Sequence, residues 1–275
     1  MTNEISPQDY QAFKKFLQEA CGILLGENKQ YLVTSRLRKI MATHELRSVG
    51  ELVDRLRRLP RGPLREAVID AMTTNETLWF RDSHPFRILQ EQLLPELGKK
   101  PQSTLRIWSA ACSTGQEPYS IAMCIDEFRR AKPGQLRQTA QIVATDISRT
   151  VLEGARKGEY EMLAIGRGLS AERQRQYFTP SVNGSWAINP AIRTMVDFKE
   201  INLLERYTLG RFDLIFCRNV LIYFSAEHKK DILLRLHQAL NPGGYLILGA
   251  SESLNGLPEK YEMVQCQPGI IYRAK

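Results

Sequence analysis

Over the first 72 positions, apolar residues recur at helical spacing. Tyr10, Phe13, Leu17 and Ala20 follow Ser6-Pro7 and Asp9, a helix start, and Val33, Leu37, Ile40, Met41 and His44 share one face of a second helix over about 28–46. Ser48 and Glu51 form a capping box that opens a third helix, ending by Pro60; "PRGP" is a turn, and a fourth helix from Leu64 buries Ala67, Val68, Ala71 and Met72. After "NETLWFRDSHP" another helix over about 85–97 leads to the polar linker "GKKPQST". From there the pattern alternates between strand and helix. Strands are expected at 105–111, 141–145, 195–198, 212–217 and 245–248, and helices at about 118–131, 148–157, 170–178 and 226–240. "NPGG" at 241–244 closes the last helix, and "YEMVQCQPGIIYRAK" reads as a hairpin around Pro268-Gly269.

Such alternation implies an α/β fold: a doubly wound, mostly parallel sheet with an antiparallel edge, preceded by an all-α N-terminal domain. The expected division is a helical domain over 1–72, an interdomain linker and helix over 73–100, and a sheet domain over 101–275 with a small β-subdomain at about 179–199.

Composition, at 43% hydrophobic and 25% charged, is that of an ordinary globular protein. The start "MTNEISPQDYQAFKKF" has no apolar segment behind a basic end, and nowhere do 18 apolar residues run together, so a cytoplasmic chain without membrane insertion is expected. The five cysteines lack any C-x-x-C pair, which argues against disulfides and structural zinc. Charge changes the picture once it is located. Of the net +8, an excess of seven lies between residues 29 and 65, where ten Lys/Arg face three acids. Lys29, Arg36, Lys39 and Arg47 fall beside the apolar face of the second helix. The segment is either a docking surface for a polyanionic or acidic partner or a solvated face.

Open α/β sheets bind ligands beyond the carboxyl ends of their strands. After the first strand, "CSTGQE" offers Gly115 for close backbone approach and Glu117 as an acceptor for an ammonium or hydroxyl. After the second, Asp146 is placed to accept two ribose hydroxyls. After the third, Asn202 can read an adenine edge while Leu203 packs on its face. After the fourth, "CRNVLIY" brings Arg218, Asn219 and Tyr223 to the mouth. Each has a plainer alternative: Asp146 as a helix cap, Asn202 as turn chemistry, Glu117 as a helix-start acid, Arg218 as a structural ion pair. There is no GxxxxGK[ST], and a single-glycine turn bearing an acid is a poor cradle for pyrophosphate. An acid there suits a cationic ligand end, such as the α-amino group of S-adenosyl-L-methionine beside its sulfonium.

"MTTNETLWFRD" (72–82), "WSAACSTGQEPYSIAM" (108–123), "ATDIS" (144–148), "INLL" (201–204), "FCRNVLIYF" (216–224) and "PGGYLILGASESL" (242–254) together resemble the chemotaxis receptor methyltransferases, the CheR family, across essentially the whole chain. That resemblance implies a class I, Rossmann-like S-adenosylmethionine methyltransferase fold and O-methylation of glutamate side chains on the cytoplasmic helical bundle of chemoreceptors, yielding S-adenosyl-L-homocysteine, with no metal. By the same motifs Asn75, Thr77 and Arg81 would reach the cofactor, Glu117 and Asp146 would hold its methionine end and ribose, and Asn202 and Leu203 its adenine. Gly115 would let the loop approach it, and Arg218 with Asn219 would line the cleft. Arg81 and Tyr223 would steer the substrate carboxylate, and Lys29, Arg36, Lys39 and Arg47 would dock on the acidic receptor. From the residues themselves, Leu78, Trp79 and Phe80 look like core. Some family members tether to a receptor tail through the β excursion; here that segment is short and shows no peptide-binding signature. A nucleic-acid methyltransferase is the main rival, but "CRNVLIY" is not an N-P-P-Y turn and the basic patch lacks interleaved aromatics. The expected molecule is a monomer without a nucleic-acid partner. An idle cofactor-sensing adaptor is the other rival, and the presence of Arg81 and Tyr223 speaks against it.

Overall fold

The computed structural model describes residues 5–59, 61–254 and 257–275, so the helix stop and turn expected at Pro60 lie in part outside the described residues. Four helices come first: α1 (Pro7–Cys21), α2 (Gln30–Thr43), α3 (Val49–Arg58) and α4 (Pro63–Met72). The Ser6 hydroxyl accepts the Asp9 N–H to open α1, Pro7 occupies a position where a missing N–H costs nothing, and the helix stops at Gly22 in the left-handed region. At α3, Ser48 accepts the Glu51 N–H, while Glu51 reaches the N–H of Arg47, one residue before the cap. The apolar faces of all four helices close on one core that includes Phe13, Leu17, Val33, Leu37, Leu52, Val68 and Met72. α2 is shorter than the 28–46 expected from its pattern: Glu45 turns left-handed, with φ 54°, and ends the ladder before Leu46.

One continuous helical stretch follows, α5 (His84–Ile88) and α6 (Leu94–Leu97) joined by a π turn at Leu89–Leu93. The Leu94 N–H reaches back five residues to Leu89, and Pro95, with no N–H to give, comes next. The chain then alternates through β1 (Thr104–Ala110), α7 (Gln116–Ala131), β2 (Thr139–Asp146), α8 (Arg149–Lys157), β3 (Glu159–Tyr160), α9 (Met162–Ile165), α10 (Ala171–Tyr177), β4 (Phe178–Pro180), β5 (Trp186–Ile188) and α11 (Pro190–Arg193). It ends with β6 (Val196–Glu200), β7 (Phe212–Cys217), α12 (Ala226–Gln238), β8 (Leu240–Leu248), β9 (Tyr261–Cys266) and β10 (Gly269–Ala274).

Seven strands form the main sheet in the order β6-β2-β1-β7-β8-β10-β9. The first five are parallel; β10 and β9 run antiparallel, as the terminal hairpin pattern implies. Successive residues point to opposite faces, so Ile107, Ile142, Leu214 and Phe216 pack under α7 while Trp108, Val143 and Ile215 pack under α12. "NPGG" does not stand outside the strand. Pairing jumps from Phe212↔Leu240 to Leu214↔Tyr245, so it bulges out within β8.

A separate three-stranded sheet, β3-β5-β4, makes the β-subdomain. It differs from the expected 179–199 at both ends. Glu159 and Tyr160 supply a strand that two residues are too short to signal, and Val196–Glu200 belongs to the edge of the main sheet, paired to β2. Chain direction across the main sheet reverses between β1 and β7, and that switch point is where their carboxyl ends part to leave a crevice.

Candidate functional site

The loop leaving β1 alternates left-handed positions at Ala111 (φ 59°), Ser113 (φ 51°) and Gly115 (φ 94°). Ser113 pins it on two sides, its N–H donating to Asp146 Oδ2 at 2.8 Å and its hydroxyl to the Asn75 carbonyl at 2.8 Å. Beside it lies a cavity of about 290 Å³, near the lower end for small-molecule sites. The structure brings together around it Asn75, Thr77, Arg81, Glu117, Asp146, Asn202, Leu203, Arg218, Asn219 and Tyr223, together with Lys29 and Arg36. Gly115 is the exception and is corrected here. A Cβ on it would meet Ala155 Cβ at 3.0 Å, the Tyr160 hydroxyl at 3.1 Å and the Tyr119 ring at 3.2 Å. Packing beneath the loop and a positive φ require the glycine, and it does not line the cavity.

Arg218 is the electrostatic centre, its side chain 1% exposed. Nη1 donates to Glu117 Oε2 at 2.9 Å, and Nη2 donates to Asp82 Oδ2 at 2.7 Å and to the Arg81 carbonyl at 2.9 Å. Its Nε is buried with no partner. Glu117 therefore does not wait unpaired for a ligand as the sequence implied: its second oxygen accepts from Ser109 Oγ at 2.7 Å. Burial pushes the Glu117 carboxyl above the usual range, opposed by the Arg218 charge and by the hydrogen bonds from Ser109 and Arg218. Two carboxylates thus answer one guanidinium, and of these three groups Glu117 and Arg218 line the cavity while Asp82 does not.

Asp146 takes the capping role its position allowed, and it also borders the cavity. Its carboxylate caps the turn, Oδ1 accepting from the Ser148 N–H at 3.0 Å and Oδ2 from Ser113. Burial raises its pKa, and those backbone N–H groups pull it back. Asn202 lines the cavity while its amide nitrogen donates to the Ala20 carbonyl at 3.0 Å and its oxygen accepts from the Leu204 N–H at 3.1 Å, contacts that tie the helical domain to the sheet. Leu203, Ile147 and Ile201 form an apolar wall, faced by Ile23, Leu24 and Leu25 from the helical domain, where the Leu24 N–H donates to the Tyr223 carbonyl at 2.9 Å. Those five aliphatic residues beside Leu203 escaped the sequence reading because at that level they look like core. Glu252 escaped it too. Its carboxylate accepts from the N–H groups of Asn219 (2.8 Å), Leu221 (2.7 Å) and Gly249 (2.8 Å), clamping the loops after β7 and β8.

Residues 73–82 cross the cavity between the domains. Trp79 and Phe80 are buried, as their apolar character implies, and they anchor the segment so that Asn75, Thr77 and Arg81 face the cavity. Arg81 Nη1 donates to the Glu76 carbonyl at 3.1 Å. Phe80, Asp82 and Ser83 all adopt positive φ (49°, 66° and 52°), a conformation costing about 1–3 kcal/mol at each non-glycine residue. Arg36 is a further correction. Its guanidinium donates to the carbonyls of Met72 (2.8 Å) and Thr73 (3.0 Å) and to the Thr74 hydroxyl (3.2 Å), bracing this segment instead of standing free to dock. Lys29, Lys39 and Arg47 are exposed; Lys29 sits on the cavity rim, and the other two lie away from it. The five cysteines are buried free thiols. Among the described residues no cluster of His, Cys, Asp or Glu has a metal-ligating arrangement, and no helix is long and apolar enough to cross a membrane.

The family model for the CheR methyltransferase SAM-binding domain matches residues 75–270, and that for the CheR methyltransferase all-alpha domain matches residues 8–73. Chemotaxis protein methyltransferase Cher2 of Pseudomonas putida is 62% identical over 269 residues, covering 97% of this chain and 98% of that protein. Chemotaxis protein methyltransferase 1 of Pseudomonas aeruginosa is 61% identical with the same coverage. The chemotaxis protein methyltransferase of Salmonella typhimurium is 33% identical over 270 residues, 96% of this chain and 90% of that protein.

Ionised Glu117 attracts a cationic ligand and protonated Glu117 does not. Because burial raises its pKa above 4.5, affinity for S-adenosylmethionine is expected to fall as pH drops through a window lying above that value. Calorimetric titration across pH should show this fall in the native protein and a flatter, weaker profile in Glu117→Gln, with thermal melts confirming that the variant is folded.

Proposed function

This chain belongs to the CheR methyltransferase family, and on that premise we propose that it methylates glutamate side chains on the cytoplasmic helical bundle of chemoreceptors. S-adenosyl-L-methionine is the methyl donor, and the products are glutamate methyl esters and S-adenosyl-L-homocysteine. The observation that carries the reading is the cavity at the switch point, where Glu117, held by Arg218, and Asp146 stand in place of the glycines and free N–H groups that a phosphate-binding fold would present.

The residues present fit the cofactor. The Glu117 carboxylate suits its ammonium, Asp146 keeps acceptor capacity for ribose hydroxyls, and Leu203 with Ile147 and Ile201 suits a flat adenine. When bound, the cofactor supplies a methyl group made electrophilic by a positive sulfur. A glutamate with an ordinary pKa of about 4.3 is already ionised at neutral pH, so the chain needs no general base. Its task is orientation and exclusion of water. Arg81 and Tyr223, half-buried at the mouth, align the incoming carboxylate, and Ile23, Leu24 and Leu25 dry the opposite wall. The glutamate oxygen takes the methyl carbon as the carbon–sulfur bond breaks. No proton moves.

Residues 1–72 serve as the receptor-recognition domain on this reading, residues 73–100 as the segment bringing Asn75, Thr77 and Arg81 to the cofactor, and residues 101–275 as the catalytic domain. Lys29, Lys39 and Arg47 meet the acidic receptor, with Arg36 acting behind them on the linker. On this reading the protein acts as a monomer in the cytoplasm, with no nucleic-acid partner.

Labelled methyl transfer to receptor cytoplasmic fragments should give an alkali-labile product that releases volatile methanol; a base-stable product, or transfer to RNA instead, would overturn the reading. In that assay Tyr223→Phe and Arg81→Lys should lower kcat by roughly tenfold or more, since misalignment by about 1 Å is that costly. Lys39→Glu with Arg47→Glu should raise KM for receptor several-fold, more so at low salt, and leave cofactor affinity unchanged by calorimetry.

A further inference from the structure

We infer that the small β-subdomain is the scaffold of the catalytic segment, and that Arg173 is the positioning residue through which it holds Arg81 at the cleft mouth. This rests on the reaction proposed above. No residue between 148 and 200 lines the cavity, so the subdomain contributes nothing to it directly. Yet it grips residues 76–80 along their length. The Trp79 indole N–H donates to the Ala164 carbonyl at 3.1 Å and its backbone N–H to the Arg167 carbonyl at 3.2 Å. Its ring stands edge-on to Tyr160 and Phe178, with centroids 4.9 and 5.2 Å away. Gly168 approaches so closely that a Cβ there would lie 2.1 Å from the Trp79 carbonyl oxygen. Arg167 also pairs with Glu76 at 3.0 Å, an exposed contact of little weight by itself.

Arg173 differs because it is fixed at both ends. Its guanidinium lies 3.7 Å from the centre of the Phe80 ring, and its Nε and Nη2 donate to the two oxygens of Glu127 at 2.7 and 2.9 Å. Glu127 sits on α7, the helix whose first turn carries Glu117, and Gln90 Nε2 holds the same carboxylate at 2.8 Å. Phe80 is the left-handed residue immediately before Arg81, and its own N–H is held by Ser120 Oγ of α7 at 3.1 Å. A planar cation stacked on that ring restrains a backbone that would otherwise relax. Relaxation there would carry off both Arg81 and Asp82, the latter a partner of Arg218. The β-subdomain thus acts on the reaction through Phe80, from outside the cavity.

The test uses the full chain with S-adenosylmethionine and a receptor cytoplasmic fragment. Arg173→Met removes the guanidinium and keeps the stem; Arg173→Lys keeps a charge for Glu127 but loses the planar stack and secures a folded variant. Both should lower kcat about tenfold while KM for receptor stays within twofold, and hydrogen exchange should accelerate at residues 76–83 but not at residues 7–58. Native kcat in either folded variant would overturn the inference, as would a loss of kcat with exchange accelerated throughout the chain. If the native protein transferred no methyl group to receptor, the proposed reaction would fall, and the exchange pattern would still decide whether Arg173 holds the segment.

Discussion

A guanidinium buried at the switch point of the sheet must be neutralised where it lies, because an unpaired charge in the interior is far too costly to keep. Arg218 meets that demand with Glu117 from the start of α7 and with Asp82 and the Arg81 carbonyl from the interdomain segment. Three stretches far apart in sequence are thereby fixed around one atom group. The same constraint places a carboxylate in the cleft: Glu117, held by Arg218, lines the cavity, while Asp82 answers the guanidinium from outside that lining. Nucleotide sites in similar sheets gather N–H donors for phosphate. This one presents the carboxylates of Glu117 and Asp146 at the strand ends instead.

The second constraint is closure by the helical domain. Asn202 ties to Ala20, Leu24 to the Tyr223 carbonyl, and Arg36 to the carbonyls that end α4. The first two ties cross between the helical domain and the sheet, the third braces the start of the connecting segment, and all three involve residues of the cavity lining. The helix α2, which carries part of the basic surface, is therefore joined through Arg36 to the segment bearing Asn75 and Thr77.

Much of the architecture was legible because apolar period reports burial. Short runs of β-formers between helical stretches marked the parallel strands, and the positions after them, Glu117, Asp146, Leu203, Arg218 and Asn219, do meet at one cavity. What period and residue type do not report is which partner a polar side chain takes. Asn202 and Arg36 have the chemistry of ligand contacts but spend it on carbonyls of their own chain. Gly115 looked like a ligand-approach glycine, and its constraint comes from Tyr119, Ala155 and Tyr160 beneath the loop. Ile23 to Leu25 and Ile147 were invisible as site residues, since an apolar wall facing a ligand and one facing a core have the same composition. Glu252 shows the reverse: a carboxylate that looks like surface chemistry gathers three backbone N–H groups from two loops. The β-strand at Glu159–Tyr160 is too short for any periodicity to appear.

The most direct test of the cleft's polarity is an experimental structure of the protein with S-adenosyl-L-homocysteine bound. It should place the amino group of the homocysteine end against Glu117, the ribose hydroxyls at Asp146, and the adenine between Leu203 and the Ile147–Ile201 wall, leaving the sulfur open toward Arg81 and Tyr223. Adenosine at Glu117, or a ligand bound outside this cavity altogether, would contradict the account.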